Sequence, residues 1–259
     1  MRAMCAAAFA AVLASGCGAT LQSAAVTPNA PQALAALQTA SATPTAAQPF
    51  NPFAADDGRI PGARVVIENP TLAQVLKPGP LKEMALGRTN APVTVIKYAS
   101  PTCPFCRRFD AKTFPMFKRA YIDTGKVRYI VREFPIGFQS GAATIAIRCA
   151  PENQRLKLYS ALLRNQARWV SQEVRRDPIF QIARKFGVSR QKFDACFADQ
   201  KLIADLKVVK DRGRTLGIIG TPNFFVNEKL EKRVLTMDDF RALIDPLVAG
   251  QQTAQRPTQ

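Results

Sequence analysis

No histidine occurs anywhere in the 259 residues. That absence removes Cys–His pairs, Ser–His–Asp triads and His-ligated metal sites from consideration. Carboxylates are scarce too: 19 Asp and Glu stand against 36 Lys and Arg, for a formal net charge of +17. The cations are spread over helix-like segments, with no Gly- or aromatic-rich basic arm. This argues against nucleic acid as a partner and for a solvated basic surface facing anionic envelope components. Internal repeats are absent, and the apolar run from Ala6 to Leu13 is too short to cross a bilayer. What remains, 47% hydrophobic and 21% charged, fits one medium domain with extensions.

The N-terminus, "MRAMCAAAFAAVLASGCGAT", has a basic start at Arg2, a short apolar stretch and then small residues. This is the pattern of an export signal over residues 1–17, and export leads to a compartment where disulfides persist. "LASGC" resembles a bacterial lipobox, which would make Cys17 a lipidated residue and anchor the chain to a membrane. Ala14 stands where such boxes usually carry Leu, and the competing reading is an ordinary cleavable signal with a chance cysteine. Residues 18–60, rich in Ala, Thr, Gln and Pro and nearly uncharged, read as a flexible tether.

Beyond the tether, "ARVVIENP" reads as a short strand and "LAQVLKPGP" as a loop or brief helix. Val93 to Ala99 is a β-branched and aromatic run, the signature of a strand buried on both faces. A helix carrying Phe109, Phe114, Phe117 and Tyr121 follows, then "GKVRYIVREFPI" at Gly125 to Ile136 as the next strand, which together predict a βαβ unit. Residues 139–216 are helical in pattern, with "NQRLKLYSALLRNQARW", "DPIFQIARKFG" and "SRQKFDACFADQKLIADLKVVKDRGRTLG" as successive helices. "TPNFFVN" and "KRVLT" predict a hairpin turning across "NEKL", and "TMDDFRALIDPLV" a final helix capped by Thr236. The expected architecture is α/β: a thioredoxin-type order over 61–138 and 217–248, an all-helical insertion between the βαβ unit and the C-terminal hairpin and helix, and a disordered tail over 249–259.

"CPFC" places Cys103 at the strand-to-helix junction, where free backbone N–H groups and the positive helix end favour a thiolate. Pro104 suits the first helical turn, which needs no N–H from it. Cys106 lies about one turn on, positioned to close a small disulfide with Cys103. Zinc would need a second cysteine pair, and beyond the leader only the isolated Cys149 and Cys196 remain. A purely structural disulfide over so short a loop gains little stability. Reactive thiols are the better reading, with Cys103 as nucleophile, Cys106 as resolving thiol, and no metal or organic cofactor.

"APVTVIKYAS", "CPFC", "VREFPI" and "GIIGTPNFFVN", in that order, resemble the DsbA-like thiol:disulfide oxidoreductases of bacterial envelopes, over roughly residues 81 to 247. The resemblance implies a thioredoxin fold and a catalytic disulfide exchanged with exported client proteins. It also implies that Thr221–Pro222 is the family's cis-proline loop, which holds an extended client through its backbone; the bland alternative is a simple strand start. Two positions depart from the family pattern. Phe105 stands where many members carry His, which would stabilise the thiolate less. Lys97 stands where a buried acid relays protons, so it either tunes the site by charge from beneath Cys103 or snorkels to solvent. Cys149 and Cys196 are expected to pair in an exported chain, and some family members carry a comparable second disulfide; otherwise they are buried free thiols.

The expectation that follows is a monomeric, lipid-anchored periplasmic oxidoreductase that donates disulfides to clients and is recharged by a membrane redox partner. An isomerase or reductase on the same scaffold, and a non-catalytic peptide-binding module, are the rival readings.

Overall fold

The computed structural model describes residues 65–254, with side chains to residue 250. The expected signal, Cys17 and the tether lie outside the described residues, as do the last five positions of the expected tail. Ten α-helices and five strands are described. After α1 (Leu72–Leu76) and β1 (Met84–Leu86) come β2 (Val93–Ala99), α2 (Pro104–Lys112), α3 (Phe114–Phe117) and β3 (Val127–Glu133). A helical block follows: α4 (Gly137–Cys149), α5 (Glu152–Arg164), α6 (Gln166–Trp169), α7 (Arg176–Ala183), α8 (Arg190–Ala198) and α9 (Gln200–Thr215). The chain then returns through β4 (Asn223–Val226), β5 (Lys229–Glu231) and α10 (Met237–Ala254).

One five-stranded sheet has the order β1-β3-β2-β4-β5. β2 and β3 run parallel, with Val93 opposite Val127 and Ala99 opposite Glu133, while β4 returns antiparallel to β2. The thioredoxin fold with its helical insertion is therefore present as expected, and β2 spans the residues that its composition marks out. Strand residues alternate between faces. Val93, Val95 and Ala99 enter the larger core with Phe109, Phe117, Phe224 and Phe240, while Ile96 and Tyr98 enter a second core with Ile130, Phe225 and Ile218. Lys97 has the parity of the first set, so it points into the layer beneath α2.

Several local expectations need correction. "ARVVIENP" is no strand where it is described, from Val65 onward; its Ile67 N–H donates to the Thr215 carbonyl at 2.9 Å, outside the sheet. β1 replaces it as the edge strand, antiparallel to β3. The hairpin turns on Asn227 and Glu228, and β5 begins at Lys229, so "KRVLT" lies beyond the strand. Asn227 sets this early register: it adopts φ +51°, the left-handed conformation a two-residue turn requires. Its side-chain oxygen also accepts from the Thr94 N–H at 2.9 Å. The long segment from Ser189 is two helices, because Asp199 caps a fresh start by accepting from the Leu202 N–H at 3.0 Å. At the C-terminus, Thr236 caps α10 as anticipated, yet the helix runs to Ala254, through what read as tail.

Candidate active site

The site is built where β2 ends. Ser100 leaves the strand with its hydroxyl 2.6 Å from that of Ser140 in α4 and 3.1 Å from that of Thr102. The Cys103 N–H then turns back to the Ser100 carbonyl at 3.1 Å, which starts α2. Cys103 occupies the N-cap of α2, its sulfur accepting from the Cys106 N–H at 3.3 Å, and Pro104 opens the helix as expected. From the opposite side the cis Thr221–Pro222 bond brings the Thr221 carbonyl to 3.0 Å from the Cys103 sulfur, which donates to it as a thiol. Asn223 braces this loop, its side-chain oxygen accepting from the Ile219 N–H at 3.3 Å. The sequence places Cys103, Cys106, Thr221 and Pro222 in one site, and the fold brings them together.

The two thiols, both free in this structure, are unlike. Cys103 is pulled down to about 5, first by a hydrogen bond from the Cys106 side chain, then against burial by the Thr221 side chain and the N–H groups of Cys106 and Phe105. The Thr221 hydroxyl is buried without a hydrogen-bond partner, and the direct contact of this residue to the Cys103 sulfur is through its carbonyl. Cys106 is fully buried, and burial pushes its thiol well above the usual range. One sulfur is thus a ready thiolate and the other holds its proton.

Lys97 does not snorkel: its exposure is 0% and its ammonium nitrogen has no hydrogen-bond partner. It sits among aromatic faces instead, 4.7 Å from the centre of the Phe109 ring, 5.0 Å from Tyr159 and 6.0 Å from Tyr129. Burial lowers its pKa, while the charges of Cys106, Asp110 and Cys103, in that order, oppose the shift. The expectation that it tunes Cys103 from beneath therefore changes: its charge acts on the buried resolving thiol, Cys106, whose pKa it pulls down against burial. Phe105 is 47% exposed beside the pair, with the Arg108 guanidinium 5.1 Å from its ring centre.

Sequence reasoning missed Gln166. Its amide donates to the carbonyls of Pro101 at 2.7 Å and Cys103 at 3.1 Å, pinning the active-site loop to the insertion from 63 positions away along the chain. A single buried Gln in a helical stretch carries no local signal of such a contact. Cys149 and Cys196 are joined in a disulfide between α4 and α8. Among the described residues no group of three or more Cys, Asp or Glu could hold a metal, and no helix is long and apolar enough to cross a membrane.

A family model described as Thioredoxin matches residues 81–246, more than half of the chain. The chain belongs to this family. The crystal structure of Wolbachia pipientis alpha-DsbA1 superposes with a TM-score of 0.65 at 26% identity, covering 72% of this chain and 100% of that one. BdbD from Bacillus subtilis, in its oxidised form, has the same fold, with a TM-score of 0.60 at 19% identity over 73% of this chain and 100% of that one. A Rickettsia typhi protein named as a protein-disulfide oxidoreductase is 35% identical over 150 residues, 56% of this chain and 54% of its own length. The chain thus spans about half the length of the curated relatives it matches first.

Proposed function

We propose that the protein is an exported thiol:disulfide oxidoreductase that donates the Cys103–Cys106 disulfide to client proteins. The observation that carries this reading is the opposed tuning of the two thiols, Cys103 to about 5 and Cys106 well upward. A client thiolate attacks the Cys103 sulfur, and the bond to Cys106 breaks. Cys106 takes up the electron pair and a proton, which its raised pKa favours. A second client thiolate then attacks the client sulfur of the mixed disulfide and expels Cys103 as a thiolate. The client gains a disulfide and the pair is left reduced by two electrons. A low pKa makes Cys103 a good leaving group and stabilises the reduced pair, which makes the couple oxidising. Thr221 and Pro222 supply the edge against which an extended client lies. The redox couple is held in side chains and calls for no organic cofactor or metal.

The leader-like N-terminus supports export, and the lipobox-like "LASGC" supports anchoring through Cys17. Renewed cycles need an acceptor for two electrons, for which a membrane redox partner is the natural candidate. The test has two arms. Equilibration with glutathione should give a potential well above that of thioredoxin; a value near thioredoxin would favour a reductase. Cys106→Ser protein should accumulate client mixed disulfides through Cys103, and Cys103→Ser essentially none. Equal trapping by the two would overturn the assignment of nucleophile.

A further inference from the structure

Gln166, which holds the Cys103 carbonyl, is flanked by two exposed cations, Arg164 and Arg168. Arg168 also lines a cavity of about 400 Å³ whose wall continues through Gln181, Arg184 and Lys185 over a floor that includes Ile182 and Phe186. No Asp or Glu lines that cavity. Among the described residues none of Arg164, Arg168, Arg184 and Lys185 forms an ion pair. Some exposed cations elsewhere do find acids: Arg190 meets Asp177 at 2.6 Å, Lys201 meets Asp205 at 2.7 Å, and Arg233, in the loop before α10, meets Asp239 at 2.8 Å. Arg168, Arg184 and Lys185 line this partly apolar hollow, and Arg164, four positions before Arg168, lines a second cavity that shares Phe186 and also includes Asp110. The three like charges in the hollow repel one another unless an anion lies among them.

We propose that Arg164, Arg168, Arg184 and Lys185 form a track that selects client proteins with acidic segments and guides them to Cys103. The inference rests on the oxidoreductase reading and adds a substrate class to it. An acidic polypeptide is favoured over an anionic membrane surface because the track starts at the residue that pins the active-site loop. A bilayer seated there would crowd the approach to Cys103. The hollow supplies what a bare charge patch lacks, an apolar floor for a client side chain between its carboxylates. Charge complementarity of this kind acts mainly on encounter rate and is screened by salt.

The test compares oxidation of dithiol peptides that share one core and carry Glu, Ser or Lys flanks. The wild-type protein should oxidise the Glu-flanked peptide about tenfold faster than the Ser-flanked one at low salt, with the gap closing at high salt. The variant R164Q/R168Q/R184Q/K185Q should lose that preference while oxidising the Ser-flanked peptide at the wild-type rate. An unchanged preference in the variant would overturn the track. So would loss of binding to vesicles of anionic phospholipid with no change in peptide selectivity. Failure of the wild-type protein to oxidise any of the peptides would instead count against the oxidoreductase reading itself, so the two failures are distinguishable.

Discussion

Cys103 and Lys97 share one small volume and answer to opposite forces. Cys103 is an acid whose folded-state pKa is depressed to about 5, so its thiolate stabilises the reduced fold. That stabilisation is fully present above the unfolded thiol's pKa and is lost as pH falls through about 5. The melting temperature of the reduced protein should therefore drop more steeply than that of the oxidised protein between neutral pH and pH about 4. Parallel profiles in calorimetry would show that Cys103 is not so tuned. Lys97 is a base whose pKa burial depresses, so the unfolded state holds its proton more tightly and the cost to the fold grows as pH falls. Lys97→Met keeps the length and removes an ammonium group that has no hydrogen-bond partner. It should raise stability by roughly 1–3 kcal/mol, more at low pH than at high. It should also raise the Cys106 pKa further, because the opposing cation is gone, and slow the resolution of mixed disulfides trapped on Cys103. Loss of stability in the Met variant would mean that the aromatic contacts outweigh desolvation.

At the scale of elements, two contacts fix how the helical block meets the sheet. α9 crosses Tyr98 so closely that a Cβ on Gly213 would lie 2.8 Å from the Tyr98 ring and 3.2 Å from Phe134. Gly213→Ala should cost about 1–3 kcal/mol by overpacking, visible as a lower denaturation midpoint, and a neutral result would mean that the ring moves freely. The Cys149–Cys196 disulfide ties α4 to α8 across 47 positions, worth up to about 4 kcal/mol by loop entropy. Replacing both by Ser should lower the melting temperature by roughly 10 °C and leave peptide oxidation nearly unchanged; a matching loss of oxidation would show that the disulfide shapes the site. The sequence made some of this legible and hid the rest, for physical reasons. β2 and the "CPFC" junction are written in local composition, so both were readable. β1 has only three residues, too few for alternation to show. The break at Asp199 depends on one cap inside a run that is helical on both sides. The burial of Lys97 and the reach of Gln166 are tertiary facts, set by rings and carbonyls far along the chain.

For the described part of the molecule, the question is whether the insertion is a separate folding unit. Its six helices interrupt the thioredoxin half, whose β4 must find β2 after the whole block has been made. Chains with more than about 150 ordered residues often unfold through intermediates, so cooperativity cannot be assumed. Three features argue for it here. The larger core is continuous, running from Val95 and Phe109 of the sheet layer to Leu162, Trp169 and Phe193 of the insertion. The Glu133–Arg148 ion pair joins β3 to α4 in a buried setting. Gln166 and Ser140 hold the loop on which Cys103 is mounted. The insertion cannot melt without uncovering the redox pair. Two intrinsic probes report on the two halves. Trp169, the single tryptophan, is fully buried in the insertion, while Cys103 is a thiolate in the fold and a protonated thiol once unfolded at neutral pH. Heating the reduced protein should therefore change Trp169 fluorescence and thiolate absorbance at one common midpoint. Glu133→Gln leaves Arg148 charged and buried without its partner, which should cost about 3–5 kcal/mol and shift both signals down together. If the fluorescence transition alone moved, or preceded the loss of thiolate, the insertion would be a separable lid on an independently stable thioredoxin half.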